Sequence, residues 1–233
     1  MLVRHVIESA CWSVDDDAAA QAFSDWALVC KAVFFAAKTR LDTDNPFANA
    51  FPGDHYRLLS GLLSVLDDSS TLNSIVDIGT HYGTGTRVML DYAPAAKVTT
   101  FDVTAWDKFP TTYLTESDFV SNGGRLTQFL ENLQHQDTFN RHKQLLNDAD
   151  FIMCDGPKDG VFERSFLTKL SSISFTPKPR FLFLDDIRFP SEMPLWRQIQ
   201  SPKADLTSFG HFSGSGLVNI SEGLKLADIR VGV

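Results

Sequence analysis

The 233-residue chain is poor in cysteine, in basic charge and in long apolar runs, and each shortage removes a class of protein. Its three cysteines, Cys11, Cys30 and Cys154, form no CxxC pair and are too few to staple a chain this long, so reduced thiols in a cytosolic protein are expected. Lys and Arg number 21 against 29 Asp and Glu, a formal net charge of -8, and no basic cluster stands out. Nonspecific binding to nucleic acid or to an anionic membrane needs the opposite balance, so neither partner is expected. The most apolar N-terminal stretch, residues 27–37, is interrupted by Lys31 and falls short of the about 18–20 residues a membrane span requires. The opening MLVRHVIESACWSVDDD lacks a long apolar run and puts three aspartates where a secretory leader would be cleaved, so the chain is expected to stay in the cytoplasm.

What remains is a chain 43% hydrophobic and 12% aromatic, enough for one sizeable core. From Asp15 to about Leu41 apolar residues recur at spacings of four and three, which predicts a helical N-terminal segment. Asn45 to Gly53 reads as a loop, and Tyr56 to Leu66 returns to helical spacing. After residue 74 short apolar runs alternate with helical or turn-rich stretches, the pattern of a parallel α/β sheet. Strands are predicted at Ser74–Ile78, Lys97–Val103, Arg125–Leu130, Asp150–Cys154 and Arg180–Leu184, with helices near 84–92, 137–147, 160–172 and 192–200. Asp205–Phe209 and Gly216–Ile220 read as two more strands, joined by HFSGS, a loop too short for a helical crossover and therefore a hairpin. The expected sheet is mostly parallel and ends in one antiparallel pair.

SIVDIGTHYGTGT places Asp77 at the end of the first strand and Gly79, Gly83 and Gly85 in the turn to the next helix. Ligands bind open α/β sheets at the carboxyl ends of the strands, where glycines let the backbone approach them. The spacing is GxxxGxG, not the GxGxxG of dinucleotide binders, and a tight turn with no ligand fits it too. Asp102 ends the second predicted strand, where a carboxylate can accept both hydroxyls of a ribose or simply cap a helix.

The strongest constellation is ADFIMCDGPKDG with RFLFLDDIRF. Asp155 ends one strand and Asp185 and Asp186 end the next, so a parallel sheet would bring three acids to one edge. Acids that close repel and tend to protonate unless a cation holds them, and an all-oxygen set favours Mg²⁺, with Ca²⁺ or Mn²⁺ as alternatives. The competing reading has these acids capping helices or pairing with Arg188 or Lys158. Lys158 lies three residues after Asp155 in a turn bent by Gly156 and Pro157. Beside a bound cation its pKa would fall, fitting it as a general base; a solvated lysine or a partner for Asp159 is the plainer alternative.

These residues resemble the class I S-adenosylmethionine-dependent methyltransferases, and among them the metal-dependent O-methyltransferases of the catechol type. VDIGTHYGTGT is similar to that group's cofactor loop at Asp77, Gly79 and Gly83, DGPKD to its metal-and-base segment, and LFLDDI to its strand-five ligand pair. The resemblance implies a Rossmann-like fold with a seven-stranded sheet, S-adenosylmethionine as methyl donor and Mg²⁺ or another hard divalent cation. It makes Asp155, Asp185 and Asp186 the metal ligands and Lys158 the base. Cofactor contacts would come from the first turn (Asp77, Gly79, Thr80, Gly83, Gly85), from Asp102 and Val103, and from Asp155. Glu131 and Asn132, after the third strand, would lie by the adenine, although helix capping explains them as well. The second acid of the pair is asparagine in catechol enzymes; aspartate there is more similar to enzymes that methylate hydroxyls of antibiotic sugars. The acceptor implied is a small-molecule or sugar hydroxyl.

The resemblance covers residues 70–220. Residues 71–233 are expected to form the cofactor-binding catalytic core, and residues 1–70 a helical cap, not independent, that shapes the acceptor pocket. His211, in the predicted hairpin loop, is a second candidate base or a structural histidine; His81 is a candidate lining residue; Trp106, Phe109, Trp196 and Phe212 either wall the pocket or belong to the core. His5, His55, His135 and His142 have no metal-ligand spacing. A homodimer rests on analogy with other enzymes of this fold alone. Two rival readings are a nucleotide-binding oxidoreductase, which leaves the three acids without a task, and a noncatalytic interaction module.

Overall fold

The computed structural model describes residues 27–33, 54–68, 72–210 and 212–227. The expected 15–41 helix is described only at 27–33, which is helical; the 45–53 loop and His211 fall outside the described residues. Helix α1 (Asp54–Asp68) leads to strand β1 (Ser74–Ile78), followed by α2 (Thr84–Tyr92) and β2 (Lys97–Asp102). Three single 3₁₀ turns between residues 106 and 122 precede β3 (Leu126–Leu130), and then come α3 (Gln136–Asp148), β4 (Phe151–Cys154), α4 (Phe162–Leu170), β5 (Phe181–Asp185), α5 (Met193–Gln198), β6 (Lys203–Asp205) and β7 (Ser215–Asn219). The sheet order is β3-β2-β1-β4-β5-β7-β6, the Rossmann-like methyltransferase arrangement. β1 to β5 are parallel, and β7 runs antiparallel to both β5 and β6.

The central strands are buried on both faces, so they read as continuous apolar runs. Successive side chains still point to opposite sides and sort into two cores. Ile75, Phe151, Met153, Phe181 and Phe183 join Leu58, Leu59 and Leu62 of α1 and Val88 and Met89 of α2. Val76, Ile152, Cys154, Leu182 and Leu184 join Phe139 of α3, Phe166 of α4 and Trp196 of α5. Gly61 lets the 27–33 helix cross α1 closely: a Cβ there would lie 2.2 Å from the Ala32 carbonyl oxygen. Asp150 is not the first residue of β4 but a clasp, accepting the amides of Asn73 (2.7 Å) and Ser74 (2.9 Å) at the start of β1.

One expectation needs correction. The sixth strand covers Lys203–Asp205 and not 205–209, because Asp205 Oδ1 accepts the Thr207 amide (3.0 Å) and turns the chain there. The sheet ends, as expected, in the antiparallel β6–β7 hairpin, with β7 inserted between β5 and β6 and pairing with both. Trp196 is core, packed under Gly216 and Lys203, and is no pocket wall.

Asp77 lies within the sheet, 1% exposed, its Oδ2 accepting hydroxyl hydrogens from Thr86 (2.5 Å) and Thr100 (3.2 Å). Burial pushes its carboxyl up to about 7, against the lowering effect of the threonine bonds. An unfolded aspartate titrates near ~3.9. Between those values the folded chain keeps a proton that the unfolded chain has lost. This group's contribution is therefore greatest below about pH 4 and falls as the pH rises towards about 7. Asp77→Asn should match wild-type stability at low pH and exceed it by a few kcal/mol at pH 8, read by urea unfolding at both pH values; an unchanged difference would mean that Asp77 folds ionised.

Candidate active site

The turn after β1 is held to its neighbours by main-chain bonds. The Gly79 amide donates to the Phe101 carbonyl of β2 (2.9 Å), and the Asp155 amide to the Ile78 carbonyl of β1 (2.8 Å). Gly79 has φ 105, and a Cβ on it would meet the Asp155 carbonyl oxygen at 2.1 Å. Glycine is thus demanded first by the chain's own β4–α4 loop. Gly83, with φ 80, caps α2 where a Cβ would strike Leu114, and Gly85 faces Met153 and Tyr56.

A cavity of about 580 Å³ opens at the carboxyl ends of the strands. It is lined by Gly79 and His81 from the first turn, Asp102 and Val103 from β2, and Glu131 and Asn132 from β3. Asp155, Lys158 and Asp186 line it from the β4 and β5 side. Of the expected cofactor residues, Asp77, Thr80, Gly83 and Gly85 do not line it: Asp77 lies beneath, and Thr80 is buried with its hydroxyl 2.7 Å from that of Thr100. Asp102 accepts the amides of His81 and Thr104, each at 2.9 Å. Glu131 accepts from Arg141 (2.8 Å) and approaches His142 Nε2 at 3.0 Å, and these contacts hold its carboxyl below the usual range.

The three acids expected to converge do so. Asp155, Asp185 and Asp186 each offer an oxygen within 4.8 Å of the others. Lys158 enters this group, its Nζ 3.0 Å from Asp155 Oδ1, 3.7 Å from Asp186 Oδ2 and 3.2 Å from the Asp185 carbonyl oxygen, to which it donates. Burial lowers the lysine's pKa, but Asp155, Asp185 and Asp186 together outweigh it and lift it well above its ordinary value. This is the reverse of the direction expected beside a bound cation. Burial and then Asp185 raise the Asp186 carboxyl, against the lowering effect of Lys158.

The plainer readings fare unequally. Asp159 caps α4 through the amides of Val161 (2.8 Å) and Phe162 (2.9 Å), so it is no partner of Lys158. Arg188 pairs with Asp205 and not with the strand-end acids. Phe109 packs edge-on to His81 (5.0 Å) and Tyr82 (5.4 Å); Trp106 is half-buried against Phe119, while Phe212 is exposed.

Sequence reasoning missed two residues. His55, at the start of α1, is buried with Nε2 3.8 Å from Asp185 Oδ2; a lone histidine a hundred residues from the motif carries no signal. Glu163 reads as an ordinary acid in the first turn of α4, yet its carboxylate accepts the amides of Lys158 (2.9 Å) and Gly160 (3.1 Å).

No protein-family model and no curated protein matches the chain. Solved structures do. The MycE methyltransferase of mycinamycin biosynthesis, in complex with Mg and SAH, is 12% identical with a TM-score of 0.49, over 88% of this chain and 56% of that one. The SAH-bound methyltransferase PaMTH1 of Podospora anserina is 13% identical with a TM-score of 0.45, over 93% and 99%. A putative caffeoyl-CoA O-methyltransferase from Staphylococcus aureus is 11% identical with a TM-score of 0.45, over 72% and 83%. The chain thus spans just over half the length of MycE, and at these identities the likeness is one of fold.

Gly79→Ala should destabilise the protein by about 2–3 kcal/mol in urea unfolding, since it adds a strained φ and a clash with main chain that cannot swing away. Gly123→Ala, with a comparable φ of 86 but open space around its Cβ position, should cost distinctly less.

Proposed function

We propose that this chain is an S-adenosylmethionine-dependent O-methyltransferase with a divalent cation held by Asp155, Asp185 and Asp186, acting on a hydroxyl of a small molecule or sugar. The observation that carries the reading is the convergence of these three acids, with Asp155, Asp186 and Lys158 lining the same cavity as Gly79, Asp102 and Glu131. In the strand order, β3 to β5 spans four inter-strand spacings, roughly 19 Å, room for a nucleoside at one end and an acceptor at the other.

The residues present fit both groups. Three carboxylates and one ammonium sum to -2, and hard oxygen donors suit Mg²⁺. About 580 Å³ lies within the range of small-molecule sites, and Asp102 and Glu131 offer carboxylate oxygens to the hydroxyls and amine of a nucleoside. When bound, the donor supplies an electrophilic methyl group and the cation an acidified hydroxyl.

The chain's own contribution is orientation and proton handling. Asp155 stands between the two halves of the cavity, so it can align donor and acceptor. Lys158 keeps its proton beside the three acids; with a cation bound there Nζ would release that proton to solvent, and the free amine would then take the substrate hydroxyl proton. An acceptor with vicinal hydroxyls, a sugar, diol or catechol, suits the shared cation. The 54–68 helix approaches the acids, with His55 Nε2 3.8 Å from Asp185 Oδ2, and is proposed as the described portion of the cap.

The test is transfer of labelled methyl from S-adenosylmethionine to a panel of catechols, diols and sugars with Mg²⁺. Transfer should vanish with EDTA and in Asp185→Ala, whereas S-adenosylhomocysteine should still bind the variant. Lys158→Ala should lower kcat by about 10²- to 10⁴-fold with little change in cofactor affinity. Saturable NAD binding without S-adenosylhomocysteine binding would favour the oxidoreductase reading, and transfer indifferent to EDTA and to Asp185→Ala would remove the metal role.

A further inference from the structure

The residue at the centre of the acid cluster holds an unfavourable backbone conformation. Lys158 has φ 61, in the left-handed region, which costs an ordinary side chain about 1–3 kcal/mol. Lysine lacks the short polar group by which asparagine or aspartate offsets that cost locally. Something else must hold it there.

Both main-chain groups of Lys158 are gripped. Its amide donates to Glu163 Oε1 at 2.9 Å, and its carbonyl oxygen accepts from Ser191 Oγ at 2.8 Å. The other Glu163 oxygen accepts the amide of Gly160 at 3.1 Å, and Gly160 is itself left-handed, with φ 71. Glu163 is only 4% exposed, and its carboxylate is wedged against the loop, since a Cβ on Gly156 would lie 2.9 Å from Oε1. It occupies the first turn of α4, where the helix favours a negative charge. Ser191 sits on the connection after β5, downstream of Asp185 and Asp186. The clamp therefore ties the loop carrying Asp155 and Lys158 to the loop carrying the other two acids.

We infer that Glu163 and Ser191 are positioning residues that fix the Lys158 backbone in its left-handed conformation and thereby set Nζ among the three carboxylates; this rests on the base role proposed for Lys158. Relaxing φ to the ordinary region would swing the Cα–Cβ bond and carry Nζ away from Asp155 and Asp186. Neither positioning residue needs to touch substrate or cofactor to do this.

The test uses the full chain and the variants Glu163→Ala, Glu163→Gln and Ser191→Ala, each alone and with Lys158→Ala. Glu163→Ala should lower kcat by about 10²-fold, the scale of an ångström-size misplacement. Glu163→Gln, which keeps one acceptor for the Lys158 amide and nearly the same volume, should lose about tenfold. In the Lys158→Ala background both should lose less than about twofold further, because their effect passes through the absent side chain. Equal losses in both backgrounds, or no loss in either, would overturn the inference.

A second readout needs no methyl transfer: the rate at which Lys158 is acetylated by an N-hydroxysuccinimide ester, followed by peptide mass spectrometry. Wild-type Lys158 should react slowly, and Glu163→Gln and Ser191→Ala should speed it at least severalfold while other lysines keep their rates. An unchanged Lys158 rate in these variants sinks the clamp whatever the reaction proves to be. A wild type that labels as expected but transfers no methyl to any acceptor sinks the proposed function and leaves the clamp standing.

Discussion

Negative charge crowded at the end of a sheet is the constraint on which this structure turns. Acid oxygens within 4.8 Å of one another repel by roughly 3–4 kcal/mol per pair at an effective dielectric of about 20. Lys158 meets part of that cost by lying against Asp155 and near Asp186, and it is held protonated as a result. One ammonium cannot balance three carboxylates, and the raised Asp186 marks the remainder. A buried cluster left with this imbalance weakens a fold. The cation proposed above would relieve that repulsion.

The scaffold bears the cost through rigidity elsewhere. Strands β1, β4 and β5 are buried on both faces and locked in register, so the points at which Asp155 and Asp185 leave the sheet are fixed by main-chain pairing. Beyond the strand ends the chain accepts strain: His81, Lys158 and Asp186 are the ordinary residues with positive φ among the described ones, and all three line the cavity. Strain gathered at one crevice and nowhere else is what a preorganised site requires.

Much of this was legible in the sequence because the relevant forces are local. The runs at Ser74–Ile78 and Thr84–Tyr92 are bounded as read, since two-face burial leaves continuous apolar strands and the glycine turn marks where helix begins. The convergence of Asp155 with Asp185 and Asp186 followed from parallel strand direction and needed no knowledge of side-chain packing. Where tertiary contacts decide, sequence pattern misleads. Leu206 and Phe209 resemble a strand continuing from Asp205, but Asp205 turns the chain and places Leu206 in the core. Gly83 looks like a ligand-facing position, yet its Cβ site is filled by Leu114, while Gly79 does line the cavity but is required to be glycine by the Asp155 carbonyl of the same chain. Nothing marks His55 or Glu163, because their importance comes from what the fold brings beside them.

The two halves of the cavity also differ in what they need from a ligand. On the β2 and β3 side, Asp102 is oriented by two backbone amides and Glu131 by Arg141 and His142, so each carboxylate is held in place before a nucleoside arrives and keeps lone pairs for its hydroxyls. That half requires shape and hydrogen-bond donors, not charge. On the β4 and β5 side three carboxylates gather around one lysine ammonium, with His55 Nε2 3.8 Å from Asp185. An acceptor that brought further negative charge there would deepen the imbalance, whereas a neutral polyhydroxylated molecule arriving with a hard dication removes it. On the function proposed above, the same crowding of acids favours a neutral hydroxyl compound over a phosphorylated one as acceptor.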